Sequence, residues 1–343
     1  MAIFDKIKDK LSKSIGKTPV LKVTMMGPRA VGKTTLMASI FSESRDSIAG
    51  TNVYFRPEAK TASDLIQKKL LLQNIIAKQK DFDDAPFTGA IAATSTETTF
   101  SFEMGKVGRA KTVDIEIKDF PGEYLMSNPS KVSEYVKESD VIMIAIDSPY
   151  LMEEKGRFNE ERNETSKVVG YFKNNESSVK DKMVLLVPLK CERYFHDHRL
   201  AELNQKVKEA YKALVDFAES SNITIIITPI QTLGSVEFDH FEDNPTGVGS
   251  SKISHFRYYG NNPKFLPMFC VQPLYYVLTY VTNEYEWLQK QPVGYLERIK
   301  NTFISYLKND DEFFHEIKKI GKNIIHNENG YEVVLTNTIL KLR

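Results

Sequence analysis

Eight consecutive residues, Gly27-Pro28-Arg29-Ala30-Val31-Gly32-Lys33-Thr34, fit the pattern GxxxxGK[ST] without a gap. Glycines at both ends of the spacer let the backbone turn tightly. Successive N–H groups can then converge on phosphate oxygens. Lys33 places a cation on a long stem, suited to the β- and γ-phosphates of a nucleoside triphosphate, and the Thr34 hydroxyl suits Mg²⁺. Thr35 follows in the first turn of the next helix, whose positive end favours phosphate. The pattern needs an apolar strand before it and a helix after it; residues 20–26 and 33–41 supply both.

A second group is Ile115-Glu116-Ile117-Lys118-Asp119-Phe120-Pro121-Gly122-Glu123. A strand ending in Asp119 sets a carboxylate at the sheet edge, where it can hold magnesium through a water. Gly122 lacks a Cβ, so its N–H can approach a γ-phosphate closely.

Together, 27–34 and 119–122 resemble the translation-factor-related class of GTPases, which includes Ras-like proteins and G-protein α subunits. The resemblance covers residues 20–287. It implies GTP or GDP as ligand with Mg²⁺, and two switch segments that order around the γ-phosphate and are released on hydrolysis. Asp119 to Glu123 would form the second switch. The first needs a Thr just before a strand, and Thr94-Ser95-Thr96-Glu97-Thr98-Thr99 precedes Phe100. Thr96 is the first choice for the metal contact and Thr94 the second; a Thr-rich lead-in to a strand fits equally well.

The same resemblance implies an Asn/Thr-Lys-x-Asp element for reading guanine, and here Leu189-Lys190-Cys191-Glu192 stands in its place. Lys190 could lay its stem over the base, and Glu192 could accept the two guanine N–H groups. Leu189 cannot supply the contacts of Asn. Glu123 replaces the Gln that orients water in many relatives, and Arg29 and Ala30 replace small glycines in the phosphate loop. Lys33, Glu123 and Arg29 are therefore the catalytic candidates. The expectation is slow GTP hydrolysis, raised by a partner or by self-association, in a molecular switch that controls a protein partner or assembly. An ATP-dependent, kinase-like enzyme or a non-hydrolysing nucleotide-binding scaffold is the alternative.

The elements that must carry these residues are legible as a rhythm. Apolar runs at 141–147, 184–189 and 223–229 have the texture of parallel strands covered on both faces. Segments 100–104 and 113–118 read as a strand pair. Helical patterns at 130–138, 160–174 and 200–218 separate the apolar runs, which predicts a three-layer α/β domain; the resemblance implies that this is the P-loop NTPase fold with a mostly parallel sheet. Residues 61–80 form an apolar helical stripe, part of an insertion at about 55–85 after the first helix. Residues 237–265, with several Gly, Asn, Asp and Pro, read as a long loop, followed by a last strand at 267–272 and a helix at 274–287. The expected organisation is an N-terminal amphipathic helix at 1–18, a nucleotide-binding domain at 19–290, and a mostly helical extension at 291–343. Within that extension, helices are expected near 295–307 and 313–325, followed by a short apolar run at 331–335.

Composition narrows the class. Lys and Arg number 46 against 45 Asp and Glu, a net charge of +1, which gives no general field for nucleic acid. Lys252, His255, Arg257, Tyr258 and Tyr259 mix basic and aromatic residues, yet are read first as a loop packing its own rings. His196 and His198 have no further metal-ligand set near them in sequence. Two cysteines, Cys191 and Cys270, cannot build a disulfide framework. Phe4, Ile7, Leu11 and Ile15 line one face of the N-terminal helix, among several lysines. That helix packs on the body or a partner, or lies on a membrane surface, where binding would be weak because Asp5 and Asp9 offset the charge. No apolar run reaches the roughly 20 residues of a membrane span, and no leader is apparent, so a cytoplasmic protein is expected.

Overall fold

The structure is a computed structural model that describes residues 18, 20–48, 50–78, 96–245, 250–289, 311–322 and 330–336. The amphipathic segment of the first seventeen residues, Thr94 and the helix expected near 295–307 lie outside the described residues.

Eight strands make one twisted sheet: β1 (Val20–Met26), β2 (Val53–Pro57), β3 (Thr98–Lys106), β4 (Lys111–Asp119), β5 (Val141–Asp147), β6 (Met183–Leu189), β7 (Thr224–Ile227) and β10 (Glu332–Leu335), in the order β10-β7-β6-β5-β1-β4-β3-β2. Pairing is parallel from β4 through β1, β5 and β6 to β7, and antiparallel at the ends, where β3, β2 and β10 are added. Two further strands, β8 (Val236–Asp243) and β9 (Lys252–Tyr258), form a separate hairpin.

Strand period explains the layers. In β5, Val141, Met143 and Ala145 enter one core while Ile142, Ile144 and Ile146 enter the other. Both faces are therefore apolar, and every residue of β5 and β6 is buried. One face is covered by α1 (Lys33–Ser47), α2 (Ala59–Lys78), α7 (Gln272–Gln289) and α8 (Asp311–Lys322), through residues such as Leu36, Leu65, Leu274 and Phe313. The other is covered by α3 (Pro129–Glu138), α4 (Thr165–Asn174), α5 (Leu200–Ala210) and α6 (Lys212–Ser220), through Val132, Phe172, Leu203 and Leu214. The result is the three-layer α/β architecture with a mostly parallel sheet.

Several local expectations are corrected. Residues 237–265 are not a long loop: they contain most of the β8–β9 hairpin. Segment 267–272 is not a strand; two isolated bridges, Gln231 to Met268 and Gly234 to Phe265, and the Cys270 thiol donating to the Gln231 carbonyl tie this region to the loop after β7. The helix expected over 160–174 is split between Asn159–Asn163 and α4, because Glu164 takes a left-handed conformation with φ of 50°. That over 200–218 breaks at Tyr211. The insertion is not wholly helical, since β2 precedes α2 and extends the sheet. Beyond residue 310, α8 packs on α7 and pairs Glu312 with the buried Lys106, while β10 is fixed by Lys208 to Glu332 at 2.7 Å.

One contact carries a pH prediction. Glu43 on α1 accepts the Val271 N–H at 2.9 Å, joining α1 to the start of α7, and burial raises its carboxyl to about 7. An unfolded glutamate titrates near 4.3. Between those values the native state keeps a proton that the unfolded state has lost. This contribution is full at the acid end and vanishes as pH rises through 7. Urea unfolding should therefore show wild type losing about 1–3 kcal/mol relative to Glu43→Gln between pH 5 and pH 8. Parallel pH curves for the two proteins would contradict this account.

Candidate functional site

Register brings the chemistry to one edge. Met25 lies beside Asp119, and Asp147 beside Leu189, so the ends of β1, β4, β5 and β6 share the carboxyl edge of the parallel strands. Ligands of open α/β sheets bind at this edge. The phosphate loop leaves β1 there and enters α1.

Within the loop, Gly27 has φ of +151°, and a Cβ there would lie 2.8 Å from the Ala145 carbonyl oxygen, leaving no room for a side chain. Ala30 sits in the left-handed region at φ 56°, a conformation that costs a non-glycine residue about 1 kcal/mol and that a shaped loop must hold in place. Lys33 is 6% exposed and its Nζ donates to the carbonyls of Gly27 at 3.0 Å and Pro28 at 3.2 Å. Burial pushes this ammonium below the ordinary lysine range, and Asp119, 4.0 Å away, opposes the shift. The Thr34 hydroxyl donates to Asp119 Oδ2 at 3.2 Å. A hydroxyl and a carboxylate side by side are a hard-oxygen pair that fits Mg²⁺.

Asp119 is followed by a close approach. A Cβ on Gly122 would overlap the Arg29 nitrogen and the Pro28 carbonyl carbon, and would lie 2.8 Å from Arg29 Cα. The 119–123 segment thus rests directly on the phosphate loop. Beyond it, Arg29 Nη1 meets Glu123 Oε1 at 3.0 Å, with the side chains 66% and 43% exposed. Two of the three catalytic candidates are paired with each other at the loop mouth. Thr96 lies exposed in a bend just ahead of β3, whose first residue Thr98 pairs with Asp119.

The expected base-reading residues occupy a neighbouring cluster. Lys190, at φ 59°, extends Nζ to Asp147 Oδ2 at 2.8 Å, and Arg162 Nε reaches the same oxygen at 2.9 Å. Burial lowers the Lys190 ammonium and the nearby Arg162 charge adds to that, against Asp147. Arg162 also acts on Lys33 in the same sense, so three cations converge on this edge. Glu192 is 2% exposed, and its Oε1 accepts the N–H groups of Leu233 at 2.8 Å and Gly234 at 3.3 Å. Burial raises its carboxyl, and these two donors pull it down. Glu192 therefore fixes the loop after β7 to the loop after β6. The β8–β9 hairpin closes over this side: Lys190 Nζ stands 5.5 Å from the centre of the Phe256 ring, and Arg193 donates to the Asp239 carbonyl at 3.1 Å. His196 stacks on Tyr259 and pairs with Glu237 at 2.9 Å.

The Double-GTPase 2 family model matches residues 22–225, more than half of the chain, from within β1 to within β7. The chain belongs to that family. In this Double-GTPase 2 protein the matched span includes the phosphate loop, Asp119, Gly122 and the Lys190–Glu192 segment. Two structures of one domain are among the solved structures that resemble the chain. The S. cerevisiae Ski7 GTPase-like domain bound to GTP matches at TM-score 0.41 and 14% identity, over 64% of this chain and 45% of that one. The same domain bound to GDP and inorganic phosphate matches at 0.40 and 16%, over 65% and 45%. This chain spans less than half the length of either. No curated protein matches the sequence. Among the described residues, no helix is long and apolar enough to cross a membrane.

Sequence reasoning missed Asp147 and Arg162. A signal for Asp147 existed: it is the one charge closing a seven-residue apolar strand. Arg162 gave none, because it lies 15 positions away in a short helix.

Proposed function

We propose that this Double-GTPase 2 protein binds GTP with magnesium, hydrolyses it slowly, and uses the nucleotide state to control a protein partner. The observation that carries this reading is the contact of Gly122 with Pro28 and Arg29. A segment resting on the phosphate loop must respond to whatever the loop holds. Family membership supports the choice of guanine nucleotide.

In this reading the backbone from Gly27 to Thr35 cradles the phosphates and Lys33 turns from the loop carbonyls to phosphate oxygens. Thr34, Asp119 and Thr96 would hold the metal, which neutralises phosphate charge when bound. Gly122 offers its N–H to the γ-phosphate. Lys190 and Glu192 form the base side of the site, with Glu192 also holding the loop after β7. Arg29 must leave Glu123 before it can stabilise charge on the γ-phosphate, and Glu123 must turn away from that charge. An exposed pair of this kind contributes about 0–1 kcal/mol, so a partner can break it cheaply. Breaking the pair changes the rate by about fivefold at most, so acceleration by a partner would come from holding Arg29 against the γ-phosphate, and turnover without that help stays slow.

A competition titration of GTP against ATP tests the reading. GTP should bind more tightly by about 100-fold or better, since a polar site rejects an analogue that leaves its buried groups unpaired. Single-turnover phosphate release by the purified protein should stay below about 1 s⁻¹. Tighter binding of ATP would overturn it.

A further inference from the structure

The β8–β9 hairpin carries a cluster that the nucleotide site does not use. Its pairing shifts between Phe238 and Phe241, so that Asp239 and His240 together face the single residue between Ser254 and Phe256. That bulge turns Phe238, Phe241 and Phe256 toward one another on one side, with ring centres of Phe238 and Phe241 4.9 Å apart. His240, Glu242 and His255 are left together. The two imidazoles stack at 4.8 Å with planes 10° apart. His240 Nε2 lies 3.6 Å from Glu242 Oε1, and His255 Nε2 lies 3.0 Å from Glu242 Oε2. One ligand atom from each of the three lies within 4.8 Å of the others.

From this geometry we infer that His240, Glu242 and His255 form a binding site for a late first-row divalent cation, zinc foremost. Two imidazole nitrogens and one carboxylate are the ligand set that such an ion takes when it keeps a fourth position open. The surroundings match as well. Asp239 Oδ2 lies 2.8 Å from His240 Nδ1, and Asp239 Oδ1 is held by Arg257 at 3.3 Å. A carboxylate on the far nitrogen selects the tautomer that leaves Nε2 open to an ion, as outer partners of zinc-bound histidines do, and a turn of the exposed His240 ring out of its stack on His255 brings the two lone pairs to one point. His255, 6% exposed, gives the site a rigid floor, while His240 and Glu242 leave an entry path. The ion would join β8 to β9. A two-stranded hairpin is marginal alone, so a clamp between its strands stabilises the roof over Lys190. This site is independent of the nucleotide reading, since it shares no ligand with it and Mg²⁺ prefers oxygen donors.

The test is titration of the chelator-treated full chain with Zn²⁺ against a chromophoric chelator, with excess Mg²⁺ and no nucleotide. One equivalent should bind, and Co²⁺ should give the visible bands of a tetrahedral N/O site. His240→Ala and Glu242→Gln, both at exposed positions where the fold should tolerate change, should each weaken binding about 10- to 100-fold or more. Zn²⁺ should also slow amide exchange in β8 and β9 of wild type alone. Absence of one-to-one binding, or wild-type affinity in both variants, would overturn the assignment.

Discussion

Lys33→Ala is expected to abolish tight triphosphate binding, with a loss of at least about 100-fold in a nucleotide competition assay. Two effects act together. The ammonium is buried, and removing one partner of a buried, hydrogen-bonded charge interaction weakens binding by about 2–5 kcal/mol. The same ammonium donates to the carbonyls of Gly27 and Pro28, so alanine also releases the loop from the shape that points its N–H groups inward. Ala30, held at φ 56°, would then relax toward a commoner conformation. Lys33→Arg helps separate the effects: it keeps the charge but does not fit the compact contact of Nζ with two adjacent carbonyls. Retained affinity in Lys33→Ala, with native circular dichroism, would refute the site itself.

Gly122→Ala should leave GDP binding within about tenfold of wild type while GTP hydrolysis falls about 100- to 1,000-fold. The drop is of the size seen when one preorganised donor is removed from a reacting anion. Gly122 is required here for space: the added methyl meets the backbone of Pro28 and Arg29, neither of which can swing away as a side chain could. The 119–123 segment must retreat, carrying the Gly122 N–H out of reach and pulling Glu123 from Arg29. Unfolding free energy should fall by only about 1–3 kcal/mol, the usual effect of overpacking. Single-turnover phosphate release and urea unfolding on one preparation measure both. Unchanged turnover would show that Gly122 does not approach the γ-phosphate.

The phosphate loop and Asp119 were legible because local chemistry dictates them: few reasons other than phosphate place two glycines, a lysine and a threonine at that spacing between a strand and a helix. The parallel strands were legible because burial on both faces demands unbroken apolar runs such as Val141 to Ile146. The hairpin was missed for the opposite reason. Val236, Phe238 and Phe241 do not alternate evenly, since the bulge inserts a residue, and the glycines and Pro245 in its turn masked the strands on either side. Val53–Pro57 went unseen because an edge strand of five residues, ending in proline, carries little pattern. The sequence position of Glu192 marks it for the base; its second task is not marked, since its near-complete burial and its bonds to Leu233 and Gly234 arise from tertiary contact between two loops. No spacing encodes that.

Strand β10 has a consequence for the order of events during synthesis. Its partner β7 is complete at Ile227, while Glu332 emerges from the ribosome only after the hairpin and both helices α7 and α8. Throughout that interval, Ile225, Ile226 and Ile227 present an apolar edge with unpaired backbone groups, the kind of edge to which other nascent chains add. The long chain between the two strands also raises the entropic cost of the final pairing, although only slowly with length. The parallel strands from β1 to β7 are thus all made before the edge of β7 can be covered, and the growing chain carries that open edge until β10 is complete.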